Sequence, residues 1–230
     1  MRSCIITISR EYASGGRTIG KMLADELGLP FFDKQIMHMT AEKSGIPVDV
    51  IEKKGESLPS KFLLNLYRLS LSTPSVRVPS AYTSYVAAAS AYNKPDSDKL
   101  FLVQASVIRE IAALGGCVIV GRCASYILKD HPNLLSVFIR GNFGDRVIRA
   151  VEMYKLPEKN AVEAVKKIDK HRANYYKLYT ERQWGSVDNY DLVLNTSYSS
   201  IDGAVAVIKA MSDVKNKLTS VDSSLGNKAP

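Results

Sequence analysis

The chain alternates between short, nearly continuous apolar runs and longer stretches in which apolar residues recur every three or four positions. The runs lie at residues 4–9, 30–32, 117–120, 134–139 and 191–194, and β-branched residues fill the first of them (Ile5, Ile6, Thr7, Ile8). Continuous apolar character predicts strands covered on both faces. Between them, residues 16–27, 34–43, 99–114, 143–153, 161–180 and 200–217 carry the helical period, as in Ile19, Met22, Leu23 and Leu27. Strands that alternate with helices predict an α/β fold, a doubly wound parallel five-stranded sheet with flanking helices. In such a sheet ligands bind beyond the C-terminal ends of the strands.

Residues 44–98 break this rhythm. They hold two shorter helical patterns, KFLLNLYRLSL and SAYTSYVAAASAY, joined by loops with Pro59, Pro74 and Pro79, and read as a helical insertion. The last dozen residues lack periodicity and read as a frayed, flexible tail. The 230-residue chain therefore reads as a single domain over residues 1–218 with a tail at 219–230.

Composition adds exclusions. With 46% hydrophobic and 23% charged residues the chain is an ordinary soluble globular protein. It has no run of eighteen apolar residues, and its start reads as a strand instead of a signal peptide, so a cytoplasmic location without a membrane partner is expected. Cys4, Cys117 and Cys123 are odd in number and lack CxxC spacing, which predicts buried thiols, neither a disulfide framework nor a zinc site. A net charge of +8 raises the question of nucleic acid, but the cations are scattered among acids. The arginines gather in one C-terminal region, which favours a small phosphorylated ligand over a nucleic acid.

The candidate chemistry opens at ISREYASGGRTIGK, between the first strand and the first helix. Glycines let backbone N–H groups turn toward phosphate oxygens, and the helix behind them presents its positive end. Ser14, Gly15, Gly16, Arg17 and Thr18 are the candidate phosphate-binding residues, with the Thr18 hydroxyl as a Mg²⁺ ligand. Against the pattern G-x-x-x-x-G-K-[ST], Glu11 takes the first glycine position and Arg17 the lysine position. The planar guanidinium of Arg17 keeps the charge but changes the grip, and its loss is expected to lower turnover by about a hundredfold. A plain strand-to-helix turn is the alternative. Glu11 repels a triphosphate unless it turns outward or pairs with Arg10 or Arg17.

The run ITISREYASGGRTIGKMLADELGLPFFDKQIM, then CVIVGRCASYIL, DKHRANYYKLYT, WGSVDNYDLVLNTS and IDGAVAVI, resembles the cytidylate kinase-like family of P-loop proteins over most of the chain. The resemblance is thinnest at 44–98 and after 217. It implies a P-loop kinase fold that uses ATP and Mg²⁺ to phosphorylate a nucleoside monophosphate, CMP-like, held between Asp33, Arg122 and the insertion. It also implies a short lid at about 153–160, with Arg146 and Arg149 before it and Arg172 after it joining Arg17 as catalytic cations. Bacterial cytidylate kinases carry Asp-Gly-Arg-Asp where this chain has Val120-Gly121-Arg122-Cys123, so the acceptor base stays open.

Blander readings stand beside these. Asp33 caps the helix starting at Lys34, Arg122 is a helix-start surface residue, and each lid arginine lies on a solvated or ion-paired face. Tyr154, Tyr175, Tyr176 and Tyr179 stack on a base or pack in the core, and Trp184 anchors a loop. His38, His131 and His171 share no metal-ligand spacing. The functional alternative is a nucleotide-binding sensor or assembly module that has lost phosphoryl transfer.

Overall fold

A computed structural model describes residues 4–48, 51 and 96–225. The expected insertion at 44–98 lies almost wholly outside the described residues, as do 226–230. The chain divides into two compact units at Asp33/Lys34 and again at Ile108/Arg109.

The larger unit holds five parallel strands: β1 (Ile5–Arg10), β2 (Phe31–Phe32), β3 (Cys117–Val120), β4 (Leu134–Arg140) and β5 (Leu192–Asn195), in the order β2-β3-β1-β4-β5. The apolar runs become strands because helices cover both faces, leaving β3 buried throughout and β1 and β4 buried along almost their whole length. In β1, Ile5 aligns with Cys117 on one side and Leu134 on the other, so β1 is the centre of the sheet. Asp191 fixes the entry to β5: its carboxylate accepts from the Ser136 amide at 2.7 Å and the Ser136 hydroxyl at 2.8 Å.

Helices α1 (Gly16–Leu27), α4 (Ala124–Ile127), α5 (Phe143–Glu152), α6 (Glu158–Thr180) and α7 (Thr196–Leu225) belong to this unit. The core joins Ile6, Ile8, Ile19, Leu23, Val118, Val120, Leu135, Val137, Ile139, Ala204 and Ile208, in which α1 and α7 meet the sheet. The short α4 escaped the sequence reading because one turn carries no measurable period. Backbone of α7 breaks at Ser200 (φ 60°, ψ 177°), where the sequence pattern places the start of the helix, and continues to Leu225, beyond residue 218.

In the smaller unit, α2 (Gln35–Ser44) packs Met37 and Ala41 with Ile51 and Leu100, flanked by Ile46 and Val48. Helix α3 (Asp96–Ala113) follows in the chain.

All three cysteines are buried and free. Burial pushes the Cys4 thiol up to about 11, and burial together with Cys4 pushes Cys117 up to about 12. Burial raises Cys123 as well. At pH 8 all three thiols therefore stay protonated, and the thiolate is the reactive form. A chromogenic disulfide reagent is therefore expected to leave the native protein unmodified over minutes and to titrate three thiols after denaturation; rapid reaction of the native protein would contradict the burial.

Candidate functional site: a strand-to-helix phosphate loop ringed by arginines

Because β1 is central, the loop that leaves it opens at the middle of the sheet's C-terminal edge, where α/β proteins bind ligands. The Glu11 amide donates to the Ile139 carbonyl at 2.9 Å, the last tie to β4, after which the chain turns through left-handed Ala13 (φ 58°) and Gly15 (φ 86°). The Ser14 hydroxyl donates to the Glu11 carbonyl at 2.9 Å, and Thr196 at the start of α7 donates to the Ser14 carbonyl at 2.8 Å. Gly15 is the N-cap of α1; it brings no capping side chain, and the first turn holds no acid. The amides of Gly16, Arg17 and Thr18 thus present the helix's partial positive charge with no side chain satisfying them, an arrangement suited to an anion.

The carbonyl side of the loop is held by arginines from α5 and α6. Arg146 Nη1 donates to the Tyr12 carbonyl at 3.1 Å, Arg149 Nη1 to the Ala13 carbonyl at 2.8 Å, and Arg172 Nη1 to the Arg10 carbonyl at 3.1 Å. The three expected cations therefore do converge on the loop, but in different settings. Arg146 is 6% exposed and meets Asp169 Oδ2 at 2.5 Å and Glu11 Oε2 at 3.3 Å. Its charge is already matched by two carboxylates. Arg149 reaches toward Gly15, 4.0 Å from where a Cβ on that residue would sit, and Arg172 lies 5.6 Å over the Tyr12 ring.

Glu11 is turned away from the amides. Its carboxylate accepts from the Gly141 amide at 2.9 Å and faces Arg146, so its pairing partner is neither Arg10 nor Arg17. Arg17 instead gives its Nε–H to Asp33 Oδ2 at 2.6 Å, with 62% of the Arg17 side chain exposed and 15% of Asp33. The N-cap of α2 is Lys34, one residue beyond Asp33, and makes no side-chain cap. Arg122 follows β3 in a left-handed turn, Gly121, Arg122 and Cys123 having φ of 78°, 58° and 55°, which brings it to the same sheet edge. Left-handed backbone costs a non-glycine residue roughly 1–2 kcal/mol.

Comparison with known proteins settles the family. The model of the cytidylate kinase-like family matches residues 5–198. The chain belongs to that family. An uncharacterized protein from Eubacterium ventriosum superposes with a TM-score of 0.63 at 26% identity, covering 91% of this chain and 98% of that one. A shikimate kinase from Bacteroides thetaiotaomicron gives 0.49 at 12% identity, covering 90% and 97%, and a gluconokinase from Sinorhizobium meliloti gives 0.45 at 13%, covering 92% and 94%. Among curated proteins none matches.

In this cytidylate kinase-like chain one arginine at the site went unassigned by the sequence. Arg10, the last residue of β1, runs its side chain across Gly16: a Cβ on Gly16 would lie 2.6 Å from Arg10 Cβ. Its guanidinium lies against Gly121 at the end of β3. Burial and the neighbouring Arg172 cation lower Arg10 to about 9, while Asp33 acts in the opposite sense.

Tyr176 and Tyr179 are buried, Tyr175 meets Tyr179 edge-on at 4.7 Å, and Tyr154 pairs with Tyr12 at 5.6 Å. Trp184 packs edge-on against Phe138 of β4 at 5.3 Å. Among the described residues no group of His, Cys, Asp and Glu is arranged to hold a metal, and no helix is long and apolar enough to cross a membrane.

Proposed function

We propose that the protein is a nucleotide kinase that transfers the γ-phosphoryl group of ATP to a nucleoside monophosphate, CMP-like, at the C-terminal edge of the sheet. Membership of a kinase-like family supports phosphotransfer, and one observation carries the reading. The uncapped amides that follow left-handed Gly15 face an edge at which Arg149, Arg172 and Arg122 gather.

In this reading the amides of Gly15 to Thr18 hold the triphosphate, with Ser14 and Thr196 keeping the loop in shape. The Thr18 hydroxyl, in the first turn of α1, would hold Mg²⁺, which supplies neutralisation of phosphate charge. Asp33 and Arg122 receive the acceptor, Arg122 by forking onto its phosphate. An acceptor phosphate oxygen attacks the γ-phosphorus, the bond to the bridging oxygen breaks, and ADP leaves with the electron pair. The acceptor oxygen is already anionic near neutral pH, so no general base is needed. Arg149 and Arg172 stabilise charge on the transferring group, whereas Arg146 positions the loop through Glu11, Asp169 and two carbonyls. The expected lid at about 153–160, which here comprises the link from α5 and the first turn of α6, closes over the site and excludes water.

The test is incubation of the protein with ATP, Mg²⁺ and each nucleoside monophosphate in turn, with diphosphates read by chromatography. CMP or a close analogue is expected to be converted. Arg122→Ala is expected to raise KM for the acceptor by about 10- to 100-fold, the weight of a charged hydrogen bond, with a smaller effect on KM for ATP. The Arg17–Asp33 pair favours one second reading, a nucleotide-binding sensor, because it occupies Arg17, the cation in the first turn of α1. Tight ATP binding with no diphosphate from any acceptor would decide for the sensor.

A further inference from the structure

The loop lacks the lysine that phosphate loops place after their second glycine, and the structure shows where a replacement stands. The pattern strand–G-x-x-x-x-G-K-[ST]–helix can be laid on this chain in two frames. With Glu11 as the first position, Gly16 is the second glycine and Arg17 the lysine. With Arg10 as the first position, Gly15 is the second glycine, Gly16 the lysine and Arg17 the hydroxyl position, the hydroxyl itself coming one residue later at Thr18. The backbone chooses the latter. β1 ends at Arg10, Gly15 carries the left-handed turn that calls for glycine, and Gly16 is already helical.

In that frame the first glycine and the lysine have exchanged character. Gly16 offers no side chain, and the stem of Arg10 fills the space above it, its Cβ and Cγ 2.6 and 3.0 Å from where a Cβ on Gly16 would be. From there the guanidinium runs to Gly121, across the C-terminal ends of β1 and β3. Among the described residues it makes no hydrogen bond and no ion pair. Two more cations, Arg172 and Arg122, act on its charge unfavourably, and Asp33 opposes them. A partly buried cation among like charges is costly unless an anion joins it.

We infer that Arg10 is the phosphate-binding cation of this loop, reaching the triphosphate tail of the donor nucleotide from the first-glycine position and doing the work of the missing lysine. This rests on the kinase reading for its turnover effects and stands without it for binding, because any polyphosphate seated on the Gly15–Thr18 amides meets the same guanidinium. Arg17, on the outer side of α1 and paired with Asp33, is then the less important cation.

The experiment uses the full chain with Arg10→Gln, Arg10→Lys, Arg10→Gly and the exchange variant Arg10→Gly/Gly16→Lys. Tripolyphosphate and ATP binding are measured by calorimetry, kcat and KM by diphosphate formation, and folding by circular dichroism. R10Q is expected to bind tripolyphosphate at least tenfold more weakly and to lose about a hundredfold in kcat, with KM for the monophosphate changed less. R10K, which keeps charge and stem, should be folded and intermediate. The exchange variant should recover most of the affinity lost in R10G, since removing the Arg10 stem frees the space that a lysine at 16 needs; a merely structural arginine would give no such rescue. Wild-type affinity and turnover in R10Q, or an exchange variant no better than R10G, overturns the assignment. Arg10-dependent binding of tripolyphosphate with no transfer to any acceptor would sink the kinase reading and leave the assignment in place. Absence of polyphosphate binding by the wild type would overturn both.

Discussion

Replacing Arg146 with alanine is expected to remove about 3 kcal/mol of stability and to lower Tm by roughly 6–12 °C for a chain of this size. The buried guanidinium joins three segments at once: Glu11 and Tyr12 of the loop, Gly141 after β4, and Asp169 of α6. Truncation leaves the Glu11 and Asp169 carboxylates without their shared counter-charge, and the Tyr12 amide still donates to Asp169 Oδ1 at 2.7 Å, which keeps that carboxylate in place. Removing one partner from such a set costs more than the set was worth. The low end of the range applies because the side chains of Glu11 and Asp169 keep 24% and 18% exposure. Thermal unfolding of the single variant, of Glu11→Gln and of the double variant forms a cycle, in which Glu11→Gln should return part of the loss by removing one orphaned charge. A Tm within a degree of wild type would refute the anchoring role.

Gly16→Ala is expected to leave a folded protein that turns over about a hundredfold more slowly. Alanine at the start of a helix is harmless by propensity and gains up to about 1 kcal/mol over glycine. Here the added Cβ lies 2.6 Å from Arg10 Cβ, a separation that forces either the Arg10 stem or the helix start to shift. Overpacking costs about 1–3 kcal/mol, so the net stability change is small, and the main result is displacement of the guanidinium from the strand ends. The measurement is kcat beside Tm: an unchanged Tm with a collapsed kcat identifies displacement, whereas full activity would show that residue 16 and Arg10 do not share that space.

The fold was legible because its physics is local. Five apolar runs became the five strands to within a residue at each end, since a parallel sheet buried on both faces leaves little room for polar side chains in its strands. The one-turn α4 was not legible, having too few residues for a period, and neither was the turn at 196–199 that precedes the break at Ser200, for the same reason.

The site was legible in its parts but not in its register. Arg146 and Arg149 share a helix face by spacing, yet one is buried between carboxylates and the other reaches the loop beside Gly15, a difference set by α6 and Asp169, far away in sequence. Arg10 was hidden because the lettering permits two frames of the phosphate-loop pattern, and only the position at which the helix begins separates them. The signal available was an arginine where a glycine is usual, five residues before Gly15.

The edge-on contact between Trp184 and Phe138 has a practical consequence. The chain holds a single tryptophan, and it leans on the middle of β4, the strand paired with both β1 and β5. Its emission spectrum therefore comes from one indole in one environment, and a red shift during denaturation reports the opening of that strand's flank directly, free of the averaging that several fluorophores impose.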